Sequence, residues 1–281
     1  MPGVLAEIER RWSLAIGKPF EGLSYNYAAP AMRADGTTLV VKVCPPSGAF
    51  RTEAEALALY GGNGAVELID ADAALGVMLL DHVKPGKMLV EVKDDEEATR
   101  IAASVMSRIW HPPPVESSFP TVADWAGGME SLREMFGGTT GPFPERLVHE
   151  AEGLFSELIS SMGEVVVLHG DLHHFNILSS DRQGWLAIDP QGVIGEREYE
   201  TGALLRNPMP DIYHMGNLEK LLARRMDQLA ELLGFDRQRI RGWAVAQAVL
   251  SAWWFFEDFD GKTSEEMTNA IALAEAMARV K

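Results

Sequence analysis

Apolar and polar positions change rhythm along the chain. In residues 23–29 and 37–43 the apolar side chains fall into short strand-like runs, and Ala34-Asp35-Gly36 between them has the turn chemistry of a hairpin. Residues 49–60 switch to helical spacing: Ala54, Leu57 and Ala58 recur on one face, and Gly61-Gly62 supplies a stop. Two further strand-like runs, 65–70 and 76–80, lead to a break at Lys84-Pro85-Gly86. The opening part of the chain therefore reads β-β-α-β-β.

Helical spacing dominates from there on. Ile101, Val105 and Ile109 place an apolar stripe on a helix that opens in Asp94-Asp95-Glu96-Glu97, the end where acidic side chains suit the helix dipole. Residues 146–162, 217–233, 237–256 and 264–280 carry the same period without an interior proline. Pro112-Pro113-Pro114 and residues 137–144 read as loops, and a compact β-rich island, 165–188, interrupts the helices. The pattern divides the chain near residue 85 into a β-rich part and a larger, mainly helical part.

Composition narrows the function classes. Of 281 residues 47% are hydrophobic and 23% charged, an ordinary balance for a chain that buries a large core. The 25 Lys and Arg against 41 Asp and Glu leave a net charge of −16, so nucleic acid and anionic membrane are not expected partners. Any anionic ligand then needs a local cationic device. The excess acid is uneven, with net −4 in residues 1–82 and −12 in the rest. The single Cys44 excludes an internal disulfide framework and a zinc-thiolate cluster. The amino-terminal residues lack the basic flank and apolar run of a signal peptide, and the apolar stretch 248–256 is too short to span a membrane, so a cytoplasmic protein is expected.

The chemistry concentrates in the island. An apolar run ends in His169-Gly170-Asp171, Asn176 follows five residues later, and a second apolar run ends in Asp189. Phosphoryl transfer needs this set: one Asp positions or deprotonates a hydroxyl, while an Asn oxygen and a second Asp hold magnesium on nucleotide phosphates. The spacing His-x-Asp-x-x-x-x-Asn matches the catalytic-loop signature of protein kinases. Lys42 sits in an apolar strand, a costly place for an unpaired ammonium. Glu53 is its expected partner because it lies one helical turn before Leu57 on the inward face, whereas Glu55 is rotated away.

These residues resemble the aminoglycoside phosphotransferase and choline kinase group of the protein-kinase-like fold, and the resemblance implies an α+β, two-lobed architecture: a small β-rich lobe of residues 1–82 and a larger, mainly helical lobe of residues 83–281, joined by a hinge at about 79–86. The stretch from His169 through His173 to Asn176 resembles its catalytic loop, and residues 76–83 resemble its hinge. The strings 184–196 and Arg206-Asn207-Pro208, with residues 20–24 and Asp35-Gly36, are similar to the streptomycin and hydroxyurea phosphotransferase branch. The resemblance implies that Asp171 is the catalytic base and that Asn176 and Asp189 bind magnesium. It implies too that Lys42, steadied by Glu53, holds the α- and β-phosphates of ATP, that Ser24 belongs to the loop over them, and that the hinge around Leu80 and His82 meets adenine. Three positions depart from the group's pattern: the phosphate loop has only Gly22 before Ser24, His174-Phe175 replaces a small Pro-Gly pair, and Glu200 stands where an Asp braces the catalytic loop.

The acceptor is read from the end of the helix at 237–256. Trp254, Glu257 and Asp258, with His173 in the catalytic loop, are the candidate acceptor contacts, because aromatic surface beside carboxylates suits a polyhydroxylated cation. The same segment also reads as a core helix with a solvated acidic tip. The expected partner is a small hydroxyl-bearing acceptor of cationic character, bound by a monomer or homodimer. Two other classes compete. A metal-dependent hydrolase would use His169, Asp171, His173 and His174, leaving Lys42, Glu53 and Asp189 without a role, and a non-catalytic nucleotide-binding protein would retain the set without turnover. P-loop and dinucleotide-binding fingerprints are absent.

Overall fold

The computed structural model describes residues 2–21 and 26–281. Its first lobe is a five-stranded antiparallel sheet in the order β1 (Leu14–Ile16), β2 (Tyr27–Arg33), β3 (Thr38–Val43), β5 (Val77–Asp81), β4 (Leu68–Asp72). Side-chain alternation gives the two faces different tasks. Leu39, Val41, Val77 and Leu79 point to one side, where Ile8 of helix α1 (Pro2–Trp12) covers them. On the other side Met78 and Leu80 join the main core with Phe50, Ala56 and Leu57 of helix α2 (Gly48–Tyr60), and Val40 packs against it. Lys42 pairs in register with Met78, so its side chain is carried to this second face.

The turn chemistry reads as expected: Asp35 Oδ1 accepts from the Thr37 amide, and Gly36 has φ of +86°. Ser47 caps α2 by accepting from the Phe50 amide, and Gly61 closes it in a left-handed conformation. Three details differ from the sequence reading. Strand β4 starts at Leu68 rather than at 65, because the Val66 amide is taken by the Ala187 carbonyl instead. Helix α1 and strand β1 are additions to the β-β-α-β-β order, because among the described side chains of that segment only Ile8 and Leu14 are buried and no stripe announces them. Strand β2, described from Tyr27, runs through Pro30 to Arg33, four residues beyond the expected run, of which residues 23–25 lie outside the described residues. The proline is tolerated because β1 ends at Ile16, and Pro30 contributes only its carbonyl, to the Gly17 amide.

The second lobe is built around helix α9 (Arg237–Asp258), which buries residues along its whole length, including Trp243 and Trp253. Helices α3 (Asp95–Ile109), α6 (Glu145–Ser160), α8 (Leu218–Leu233) and α10 (Glu265–Arg279) lie within a residue or two of the expected spans. The short helices α4 (Val122–Ala126) and α5 (Gly128–Met135) were not legible, having too few turns to display a period. Helix α7 (Thr201–Leu205) packs so closely on α9 that a Cβ built on Gly202 would lie 2.2 Å from Gln247 Oε1, whose amide nitrogen donates to the Tyr199 carbonyl. Gly202→Ala is therefore expected to cost about 1–3 kcal/mol in urea unfolding through overpacking of a buried polar contact. No change in stability would show that the Gln247 contact yields freely.

Two small sheets carry the island. Strand β7 (Val165–Leu168) pairs with β10 (Val193–Glu196), and β8 (Ile177–Ser180) lies between β6 (Pro85–Met88) and β9 (Gly184–Ala187). Backbone hydrogen bonds join Val66 to the Ala187 carbonyl and Ala187 to the Gly64 carbonyl, locking the first lobe to the strand that leads into Asp189. No helix among the described residues is long and apolar enough to cross a membrane.

Candidate active site

Lys42, Glu53 and Asp189 meet in the cleft between the lobes. The Lys42 ammonium lies 2.5 Å from Glu53 Oε1 and 3.1 Å from Asp189 Oδ1, although 147 residues separate Lys42 from Asp189. Lys42 and Glu53 are almost fully enclosed, while the Asp189 side chain is 46% exposed. Burial works against the charge on Lys42, but Glu53 and Asp189 outweigh it and hold the ammonium above its usual range. Burial pushes the Glu53 carboxyl up to about 7 against the pull of Lys42. Glu55 points elsewhere and accepts from the Ser118 amide. Asp189 has φ of +59°, a left-handed conformation that costs a non-glycine residue about 1–3 kcal/mol and marks a site the surroundings hold in place.

The catalytic-type loop hangs from His169. Its ring is fully buried, and one tautomer satisfies both nitrogens: Nε2–H donates to the Ile188 carbonyl at 2.8 Å, and Nδ1 accepts from the Asp171 amide at 3.2 Å. Burial lowers its pKa to about 4, so the ring is neutral near pH 7. His169 thus ties the backbone that carries Asp171 to the backbone that carries Asp189. From beneath, Glu200 accepts from the His169 amide at 2.7 Å and the Gly170 amide at 2.9 Å. The glutamate therefore makes the brace that the pattern assigns to an aspartate, and its extra methylene is absorbed.

Asp171 sits with its side chain 35% exposed between two cationic-capable groups. His173 Nε2 is 3.4 Å from Oδ2, and Arg206 Nη2 is 3.6 Å from Oδ1. Burial would raise its pKa, but His173 and Arg206 outweigh that and keep the carboxyl below the usual range. Because His173 Nδ1 accepts from the Phe175 amide, the ring proton of the neutral form lies on Nε2, facing the carboxylate. Asn176 Nδ2 donates to the Asp171 carbonyl at 2.9 Å, which leaves the amide oxygen without a hydrogen-bond donor among the described residues. That oxygen and the half-exposed Asp189 carboxylate are a hard-oxygen pair of the type magnesium takes.

The acceptor-side candidates separate. Trp253 and Phe256 stack within the core, whereas Trp254 is half-buried and edge-on to Trp125 at 5.5 Å. Trp125 in turn packs against the loop: a Cβ on Gly170, which has φ of +83°, would lie 2.7 Å from its ring. Glu257 and Asp258 stand exposed at the end of α9, and partial burial with the neighbouring Asp258 raises the Glu257 carboxyl. A cavity of about 330 Å³ opens beside the loop, lined by Arg51, Thr52, Ser118, Pro120, Trp125 and Gln191. At the other end of the cleft Leu80 is buried, and His82 is edge-on to Phe20 at 6.3 Å. Ser24 lies outside the described residues.

The four-residue hydrolase set does not converge. His169 spends both nitrogens on the backbone, and the buried His174 ring is set among Asp95 and Arg225, its nitrogens unpaired by protein. Among the described residues no three His, Cys, Asp or Glu side chains are grouped to hold a metal ion. Sequence reasoning missed Arg206 and Trp125. Arg206 was visible only as part of the 206–208 string, and nothing local ties it to a residue 35 positions away. A lone tryptophan before a glycine pair carries no spacing signal at all.

A sequence model of aminoglycoside/hydroxyurea antibiotic resistance kinases matches residues 11–259. Streptomycin 6-kinase of Streptomyces griseus is 30% identical over 280 residues, covering 99% of this chain and 90% of that protein. Hydroxyurea phosphotransferase of Kitasatospora aureofaciens is 28% identical over 279 residues, covering 99% and 78%. Among solved structures, a thermostable mutant of aminoglycoside phosphotransferase APH(4)-Ia, in ternary complex with ADP and hygromycin B, superposes with a TM-score of 0.69 at 13% identity, covering 98% of this chain and 97% of that one. Choline kinase of Streptococcus pneumoniae superposes with a TM-score of 0.66 at 13% identity, covering 98% and 99%. The two-lobed α+β architecture is thus the protein-kinase-like fold expected from the residues.

Proposed function

The chain belongs to the aminoglycoside/hydroxyurea antibiotic resistance kinase family, and from that premise we propose that it transfers the γ-phosphoryl group of ATP, with magnesium, to a hydroxyl of a small acceptor of streptomycin type. The observation that carries this reading is that Lys42 and Glu53 meet Asp189, while His169 and Asn176 tie the loop that bears Asp171 to Ile188, the neighbour of Asp189, joining residues from two lobes and four separate segments. An acidic chain gains there the local cationic device that a polyanion requires.

Lys42 binds the α- and β-phosphates, and Glu53 fixes its rotamer so that the ammonium is already aimed when nucleotide arrives. Asn176 and Asp189 are the residues that would hold magnesium, which neutralises phosphate charge when bound. Asp171 receives the acceptor hydroxyl proton and orients its oxygen. Its carboxyl, held below the usual range, is ionised and ready for that role near pH 7. Adenine enters between the sheet face at Val40 and Leu80 and the half-buried Leu178 and Ile188, with the backbone near His82 as its edge partner. The acceptor lies toward Trp125, Trp254 and His173, with Glu257 and Asp258 available to the cationic arms of a guanidino sugar.

Coupled ADP-release assays over streptomycin, other aminoglycosides, hydroxyurea and choline test the reading. Magnesium-dependent ADP release stimulated by streptomycin or a close relative is the expected result. Absence of ATP binding in magnesium buffer would overturn the kinase assignment, and turnover with choline alone would overturn the acceptor class.

A further inference from the structure

Helix α7 ends immediately before Arg206, whose Nη2 lies 3.6 Å from Asp171 Oδ1. Arg225 of α8, fully buried, donates through Nη1 to the Leu204 carbonyl at 3.3 Å and the Asn207 carbonyl at 2.6 Å. Those carbonyls bracket Arg206. The remaining nitrogens of Arg225 grip Asp95 at the start of α3, Nε at 3.1 and 3.2 Å from its two oxygens and Nη2 at 2.5 Å from Oδ1. Arg224 adds a further ion pair to Asp95 from the surface side. Asp95 is favourably placed at a helix N-terminus, and its partner adds a donor to the Leu204 carbonyl, which already accepts from the Asn207 amide, and supplies one to the Asn207 carbonyl just beyond the helix. His174 of the catalytic loop packs into the same buried cluster, and its carbonyl accepts from the Val90 amide.

A buried ion pair is weak as a source of stability, since well-packed apolar side chains of similar volume do as well or better. Its distinctive property is directional: the planar guanidinium of Arg225 fixes four acceptors at once. We propose that Asp95 and Arg225 form a positioning unit for phosphoryl transfer, terminating α7 so that the Arg206 guanidinium is held beside Asp171. The inference rests on the kinase reading for its kinetic consequence, and on geometry alone for its structural one. Neither Asp95 nor Arg225 touches Asp171; they act through Arg206.

The test is a double-mutant cycle of Asp95→Asn with Arg206→Ala. Asp95→Asn keeps the shape and removes the charge that anchors Arg225. It is expected to lower kcat about tenfold, as small misplacements of catalytic groups do, with KM for ATP within about twofold. In the Arg206→Ala background the same change should leave kcat unaltered, because the group it positions is already gone. A merely structural role predicts the same loss in both backgrounds, and that outcome overturns the proposal. Arg225→Lys, which keeps the charge and loses the fork, should reproduce the kcat loss if Asp95→Asn folds poorly. Wild-type protein without acceptor-dependent turnover fails the kinase reading instead. The structural claim is then decided by a crystal structure of Asp95→Asn: the 3.6 Å separation of Arg206 from Asp171 must widen, and its persistence overturns the claim.

Discussion

Asp171→Asn is expected to lower kcat by about 100- to 10,000-fold, the range associated with loss of a general base, while ATP affinity and the folded state persist. Asn has the same shape, and the native side chain is partly exposed, with His173 and Arg206 nitrogens at 3.4 and 3.6 Å, so no tight buried pair is broken. What disappears is a permanently ionised oxygen facing the acceptor. His173 and Arg206 keep that carboxyl ionised in the wild type, and neither can substitute for it: a guanidinium accepts no proton, and His173 Nδ1 is engaged by the Phe175 amide. Circular dichroism and ATP titration of the variant separate the two effects. A variant that bound ATP normally and retained half of wild-type turnover would remove Asp171 from the catalytic role, while one that lost ATP binding would place it in nucleotide recognition.

The legible parts of this site are those with local periodicity or fixed spacing. Lys42 could be placed because strand alternation sends it to the face opposite Leu39 and Val41, and Glu53 could be chosen over Glu55 because a helical turn separates it from the buried Leu57. The spacing from His169 to Asn176 is a property of one loop, so the sequence displays it whole. Arg206, Arg225 and Asp95 were opaque for the opposite reason. Their contacts span 18 to 130 residues, and a lysine, arginine or aspartate on a helix reads as solvated surface until its neighbours are known. The aromatic end of α9 shows the same limit within one helix: Trp253 and Trp254 are adjacent, yet one is core and the other faces Trp125. Helical spacing around a nearly encircled helix does not say which side is the cleft.

Glu200→Gln is expected to be the most damaging change outside the groups that meet substrate. The native carboxylate accepts from two backbone amides, His169 and Gly170, immediately before Asp171. A glutamine offers one acceptor oxygen and one donor nitrogen, so one amide is left facing a donor inside the core. An unsatisfied buried donor costs about 1–3 kcal/mol, and if that cost is relieved by shifting the loop, turnover falls by roughly 5- to 100-fold. Glu200→Asp, by contrast, must reach the same amides with one methylene fewer and should lose less. Stability as a function of pH distinguishes the brace from ordinary packing. Burial raises the Glu200 carboxyl from an ordinary 4.5 to about 7. Between those values the unfolded chain holds the residue ionised while the folded protein keeps its proton, so this group's contribution to stability declines as pH rises through that window. Glutamine has no such titration. Urea unfolding at pH 5.5 and 7.5 should therefore show a smaller loss of stability toward the higher pH in Glu200→Gln than in wild type. Equal slopes would mean that Glu200 does not titrate in that window, and unchanged turnover would mean that the loop does not depend on its brace.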